Sequence, residues 1–257
     1  MVRRLAPLLA LALAACTPAP AREAGPGNPS APTIVSLNPC TDAILAEVAE
    51  PQQILAISAY SHDPAASSMD MAVARRFRAV SGTVEEVLAL HPDLVVGSTF
   101  TPPATAQAMA RLGMRFEQFG MAGTVEESEA QVRRLAALAA HPERGEALIA
   151  RMRGALDANR APPGAPVSAL VWQSGGIVPG PSTLIADLLR RTGFANAAAA
   201  QGLGQADLLP LEQVLAAPPR LILAASHGAG NEDRMLAHPA LAKLHGTRRE
   251  VLDPSLL

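Results

Sequence analysis

Aromatic residues and cysteine are scarce in this chain: 257 residues include one Trp, one Tyr, five Phe and two Cys. Two cysteines cannot make a disulfide framework, and if Cys16 is consumed by lipidation then Cys40 has no intramolecular partner. No basic patch or aromatic–basic interleaving is present, which argues against nucleic acid as a partner. A Gly-x-Ser-x-Gly elbow, a His-Glu-x-x-His motif and a glycine-rich nucleotide loop after the first strand are all missing. The GLGQAD stretch at Gly202 lacks a third glycine and follows no strand. A lipid-anchored α/β hydrolase or chelatase-like enzyme is therefore disfavoured, and no catalytic residue is assigned. A bare-metal site needs three or four converging His or acidic ligands, and no such cluster is evident.

Leu5–Ala15 is the apolar run of the N-terminus, too short to span a bilayer as a mature helix, and it follows Arg3 and Arg4. It ends in Leu13-Ala14-Ala15-Cys16, which looks like a bacterial lipobox with Cys16 as the lipidated first residue of the mature chain. Thr17 follows, so no Asp argues for retention at the inner membrane. Residues 16–32 are rich in Pro, Ala and Gly without apolar period, a composition for a tether rather than a core. Without Arg3 and Arg4, the 21 Lys and Arg fall to 19 against 23 Asp and Glu, a mature charge near −4. An exported, periplasmic, lipid-anchored protein that meets a membrane only through that anchor is expected.

The body begins near Thr33 and alternates. TIVSL reads as a strand, Pro39–Ala49 as a helix with Asn38 at its N-cap, ILAIS as a second strand and LVVGS as a third. A helix over Ala104–Leu112 precedes a fourth strand, MRFEQF. From Thr124 to Asn159 strand signals stop, and Val132, Leu135, Leu138, Leu148, Met152 and Leu156 recur at helical spacing. His141-Pro142 leaves two alternatives, a kink or a division into two helices. After APPGAP the alternation resumes with strand Val167–Trp172, helix Ser182–Thr192, strand LILAAS, a helix near Glu232–Leu244 and a strand at Glu250–Leu252. TVEEVLALHPDLVV (Thr83–Val96) also reappears as PLEQVLAAPPRLIL (Pro210–Leu223), six of fourteen positions matching. Each copy has an acid in the first helical turn, an apolar stripe, a stopping Pro and a short apolar run. The predicted fold is α/β, with two similar lobes joined by a long rigid helix. The divisions are 1–15 leader, 16–32 tether, 33–123 N-terminal lobe, 124–160 connecting helix and 165–257 C-terminal lobe.

The block SLNPCTDAILAEVAEPQQILAISAYSHDPAASS, then TVEEVLALHPDLVVGS and RLGMRFEQFG, resembles the substrate-binding proteins of bacterial ABC importers for ferric siderophores, cobalamin and heme. The resemblance implies a monomeric binding protein, not an enzyme, that captures a small metal chelate and delivers it to a permease dimer with its ATPase. It implies Rossmann-like lobes with the ligand in the cleft between them, and no cofactor. It also implies that Glu85 and Glu212, one per lobe, dock on permease arginines, although Glu in a first helical turn is favourable with the helix dipole in any case. Retention as a sensor or handover partner without its own permease is the further alternative.

Ligands of open α/β sheets bind beyond the carboxyl ends of the strands. The residues there are Asn38 and Cys40; Tyr60, Ser61 and His62; Thr99 and Phe100; Trp172, Gln173 and Ser174; and His227. The lone Trp and lone Tyr both fall on these edges, suited to stacking on a macrocycle or aryl siderophore, with a core cap as the alternative for Trp172. Tyr60, His62, His227 and Cys40 could each touch a metal. Cys40 could as well be a small filler or a thiol of lowered pKa, and no metal-ligand set is assigned. Gly82, Phe100 and Ala206 stand where cobalamin binders of this family carry tryptophans, which weakens cobalamin as the ligand. The family continues past its last strand with a loop and helix, so truncation after Leu257 is the expectation.

Overall fold

Short aliphatic runs become strands here because both faces of each are covered. In the computed structural model, which describes residues 31–64, 66–161, 163–204, 206–225 and 238–253, β1 (Ile34–Ser36) is the middle strand of a five-stranded sheet. β2 (Ile54–Ser58) and then β3 (Ala79–Val80) lie on one side, β4 (Leu94–Ser98) and then β5 (Phe116–Phe119) on the other. All of these pairings are parallel. Successive side chains serve opposite cores: Ile34, Leu94 and Val96 pack with Leu45 and Leu135, whereas Val35 and Val95 pack with Val87 and Met109. Burying each of these larger side chains stabilises the fold by roughly 1.5–3 kcal/mol.

The helices that cover this sheet start where their caps demand. α1 (Pro39–Val48) begins with Asn38 Oδ1 accepting the Cys40 N–H at 2.9 Å and Pro39 at the first position. α2 (Met71–Ala74), absent from the sequence reading along with β3, is capped by Asp70, whose Oδ1 accepts from Ala72 and Val73 N–H at 2.7 and 3.1 Å. α3 (Val84–Leu88) is capped by Thr83, and the Glu86 carboxylate reaches back to the Ser81 N–H at 2.9 Å. α4 (Pro103–Arg111) then leads into β5.

The helical link between the lobes takes the divided form of the two alternatives. α5 (Val125–Leu138) and α6 (Pro142–Ala158) are separated by Ala140 at φ 64° and His141, and Pro142, lacking an N–H, opens the second helix. They lie back to back. Glu129 accepts from Arg153 Nε and Nη2 at 2.7 and 2.5 Å, and Arg133 Nε donates to Glu146 at 2.7 Å. A Cβ on Gly145 would sit 2.6 Å from Ala136 Cβ, so the glycine permits the close approach. Both helices pack on α1. The corner is seated on the first lobe by Gln53, whose Nε2 donates to the Ala139 carbonyl at 2.9 Å while its Oε1 lies 2.8 Å from His141 Nε2.

The second lobe repeats the scheme. β6 (Val167–Gln173), β7 (Ile177–Pro179), α7 (Leu184–Arg191), β8 (Phe194–Asn196), β9 (Ala206–Leu208), α8 (Leu211–Ala216), β10 (Leu221–Ala225), α9 (Pro239–Ala242) and β11 (Arg248–Leu252) follow in turn. A parallel sheet runs β11-β10-β6-β8, and β7 and β9 form a separate antiparallel pair that the sequence did not announce. The duplicated motif becomes α3–β4 in one lobe and α8–β10 in the other, and each of these strands pairs with the first strand of its own sheet. Of the helix expected near Glu232–Leu244, the described portion is α9; Glu232 lies outside the described residues. Among the described residues no helix is long and apolar enough to cross a membrane.

The lobes meet at the start of α5. Asp187 of α7, 8% exposed, accepts the Val125 N–H at 3.0 Å and thereby caps a helix of the other lobe. Arg191 Nε donates to the same carboxylate at 2.7 Å and its Nη2 to Glu126 at 2.6 Å, while Arg190 also pairs with Asp187. Burial pushes the Asp187 carboxyl up, but the Val125 N–H and the two arginines outweigh it and hold it below the ordinary value. Asp187→Ala removes a helix cap, an expected loss of about 0.5–2 kcal/mol of folding stability by urea denaturation. A wild-type midpoint and slope would show that the junction carries no load.

Candidate functional site

All strands of a parallel sheet leave at the same edge, so the loops after β1, β2, β4 and β5 are neighbours in the first lobe. Two aromatic side chains stand out from that edge. Tyr60 is 67% exposed and Phe100 73% exposed, in a chain that is 3% aromatic. Both are held through their backbones: the Tyr60 N–H donates to Ser58 Oγ at 3.3 Å, and the Phe100 N–H to Ser98 Oγ at 3.0 Å. Thr99 beside them is exposed, with its N–H on the Phe119 carbonyl at 3.0 Å. Met121, after β5, adds an exposed apolar side chain.

The other first-lobe candidates divide by what their side chains already do. Asn38 is half-buried, its side-chain oxygen committed to the α1 cap. Cys40 is on the surface, yet desolvation first and the neighbouring Asp42 second push its thiol up, which corrects the alternative of a lowered pKa and leaves a neutral thiol at pH 7. Ser61 is fully buried and donates to Asp42 Oδ2 at 2.6 Å, so it supports the edge from beneath rather than facing a ligand. His62 is half-buried with Nε2 3.0 Å from the Ala74 carbonyl, which engages one ring nitrogen with α2.

Asp42 itself escaped the sequence reading. It is fully buried in the first turn of α1, and its Oδ2 also accepts the Ser58 N–H at 2.9 Å. Burial raises its pKa from the ordinary 3.8 to about 7, with the nearby Ser36 hydroxyl and the bonds from Ser61 and Ser58 offsetting part of the rise. Its Oδ1 has no hydrogen-bond partner. The one available signal was an acid three residues after the Pro of an otherwise apolar helix start, which reads equally as dipole chemistry.

On the second lobe Trp172 takes the core alternative, which corrects its assignment to the ligand edge. The indole is fully buried among Leu170, Val178, Leu209, Val214 and Ile222, because its place in β6 gives it the same face as Leu170. Trp172 therefore fills the core, with its Nε1–H unpartnered, and offers no stacking face. Gln173, next in the strand, is half-buried. Ser174 opens a short 3-10 turn. The antiparallel pair of this lobe carries Ile177 and Leu208, register partners and both exposed. His227 and Cys16 lie outside the described residues. A cavity of about 400 Å³ opens at the interlobe junction between Met121–Thr124 and Pro181–Ser182. No cluster of three or more His, Cys, Asp or Glu suited to a metal ion occurs among the described residues. Glu85 and Glu212 are both exposed, each in the first turn of its helix, and neither makes an ion pair among the described residues.

Residues 34–249 match a family model described as periplasmic binding protein. Solved structures with the same fold include the periplasmic heme-binding protein RhuT from Roseiflexus sp. RS-1 in apo form, 22% identical, with a TM-score of 0.66 over 87% of this chain and 90% of that one. The periplasmic heme-binding protein HutB of Vibrio cholerae is 20% identical, with a TM-score of 0.68 over 88% and 91% of the two chains. The periplasmic vitamin B12 binding protein BtuF of Vibrio cholerae is 20% identical, with a TM-score of 0.65 over 88% and 89%. No curated protein sequence matches the chain.

Two measurements test this geometry. Trp172 emission should be blue-shifted and poorly quenched by iodide in the folded protein; emission near that of free tryptophan would place the indole at the surface instead. For Asp42, a raised folded pKa means that its contribution to stability is fully present below about pH 4 and is lost as pH rises through about 7, where a charge must stay buried. Asp42→Asn cannot ionise, so its melting temperature should gain on that of the wild type between pH 5 and pH 8. A difference constant across that range would refute the assignment.

Proposed function

The chain belongs to the periplasmic binding protein family, and from that premise we propose that it is the substrate-binding component of an ABC importer whose cargo is a metal chelate with a flat face, an iron-siderophore or a related macrocyclic chelate such as heme. The observation that carries this reading is the pair of outward rings, Tyr60 and Phe100, on the loops after β2 and β4, which flank β1 at the carboxyl edge of a parallel sheet. Exposing two aromatic rings forgoes burial, and rings in that position suit stacking on a conjugated face. Tyr60 adds a phenolic oxygen, a donor that ferric iron accepts, as haem proteins with tyrosine ligands illustrate. Met121 from the first lobe and Ile177 and Leu208 from the second supply the apolar remainder. Burial of Trp172 and the absence of tryptophan at Gly82, Phe100 and Ala206 leave less ring surface for a corrinoid, so cobalamin is the second choice. The structural neighbours named for heme support the choice without deciding it.

Delivery follows from the duplicated motif. Glu85 and Glu212 are exposed carboxylates on equivalent helices of the two lobes, a charge pattern suited to permease arginines on either side of an importer axis. Leu13–Cys16 supports a lipid anchor, with the tether carrying the body away from the membrane on its periplasmic side. The polar interlobe junction and the paired helices favour a clamp whose walls move little on binding.

Titration of the unlipidated body with hemin, cyanocobalamin, a ferric hydroxamate and a ferric catecholate tests the cargo. One of them should saturate at micromolar or tighter concentration, and Tyr60→Ala and Phe100→Ala should each weaken it by about tenfold, roughly 1.4 kcal/mol. Absence of saturable binding to all would end the chelate reading. Glu85→Ala and Glu212→Ala should keep the wild-type chelate affinity but lose stimulation of the importer's ATPase; full stimulation in the double variant would remove docking from these residues.

A further inference from the structure

Tyr60 carries a large exposed ring on a four-residue 3-10 turn, Ala59–His62, so something other than packing of the ring must set its direction. The residues around it supply the answer. Ser58 precedes the turn and Ser61 follows Tyr60, and both are tied to one atom: Asp42 Oδ2 accepts the Ser58 N–H at 2.9 Å and the Ser61 hydroxyl at 2.6 Å. Tyr60 is thus bracketed. Its N–H bonds back to Ser58 Oγ and its carbonyl accepts from Asp63 N–H at 3.1 Å, which closes the turn. Asp42 also belongs to the helical turn that fixes the neighbouring loop, where the Thr41 hydroxyl donates to the Asn38 carbonyl at 2.9 Å and pairs with Ser36 Oγ at 2.7 Å.

We propose, resting on the chelate-binding reading, that Asp42 is a positioning residue of the cleft: one buried carboxylate oxygen aims the Tyr60 turn and locks it to the loop after the first strand. The chemistry explains why a carboxyl stands in so apolar a place. A hydrophobic residue there would leave the Ser58 N–H and the Ser61 hydroxyl buried without an acceptor, and a buried donor without a partner is costly. A single oxygen that accepts both bonds satisfies the strand end and the turn together. Asparagine presents the same oxygen in the same place, whereas alanine presents none.

Two readouts test this. Amide hydrogen exchange on the ligand-free protein reads the turn directly: Asp42→Ala should speed exchange at residues 58–63 by tenfold or more, Ser61→Ala less, and Asp42→Asn little. Hemin affinity reads the consequence: Asp42→Ala should lose about as much as Tyr60→Ala, the double variant no more than either alone, and Asp42→Asn should stay within threefold of wild type. Wild-type exchange at 58–63 in Asp42→Ala would overturn the proposal, as would additive losses in the double variant. If the wild type fails to bind hemin, that cargo is lost, while exchange, read without ligand, still decides the role of Asp42. Should Asp42→Ala not fold, Ser61→Ala carries both measurements, with unchanged exchange as the overturning result.

Discussion

The loop edges of this molecule follow from burying two parallel sheets on both faces. A parallel strand must be followed by a crossover, the crossover is usually a helix, and helices laid on both faces leave only the strand ends free. In the first lobe this is visible in single-residue steps, with Ile34 and Val35 serving opposite cores. The two loop edges are then the places where side chains can be spent on something other than packing. One edge holds Tyr60 and Phe100; α3 and α8 stand at the starts of their following strands and carry Glu85 and Glu212.

Joining the lobes poses a separate problem, solved by charge rather than by apolar area. The α5–α6 hairpin belongs to the first lobe through α1, Gln53 and His141. The second lobe reaches it with Asp187, which supplies the helix cap that α5 needs in addition to the Thr124 cap of its own chain. A carboxylate bonded to a backbone N–H and two arginines is directional, so it fixes an angle as well as a distance. That suits the proposed clamp.

Asp42 and Trp172 show the limits of reading a loop edge from composition. Both sit within a residue or two of candidate positions, and both point inward. Trp172 obeys the alternation of its strand, sharing a face with Leu170 and Ile222, and Gln173 falls half-buried on the opposite face. Asp42 obeys the helix, which turns it under the Ser58–Ser61 segment while Cys40 remains on the surface. Periodicity contained the first of these; nothing local contained the second, because the partner of Asp42 lies sixteen residues away.

The sequence by itself determined the α/β class, the two-lobe duplication, most strand and helix positions and the family, because apolar period, caps and Pro stops act over a few residues and are written locally. It also limited the rings an edge could offer, since a chain with one Tyr and one Trp has few to place. Tertiary structure alone decided which ring was available, where the helical link divides relative to its supports, and that short runs such as Ile177–Pro179 and Ala206–Leu208 pair with each other. Those outcomes depend on burial and on hydrogen bonds between residues far apart in the chain, and such partners exist only once the chain has folded.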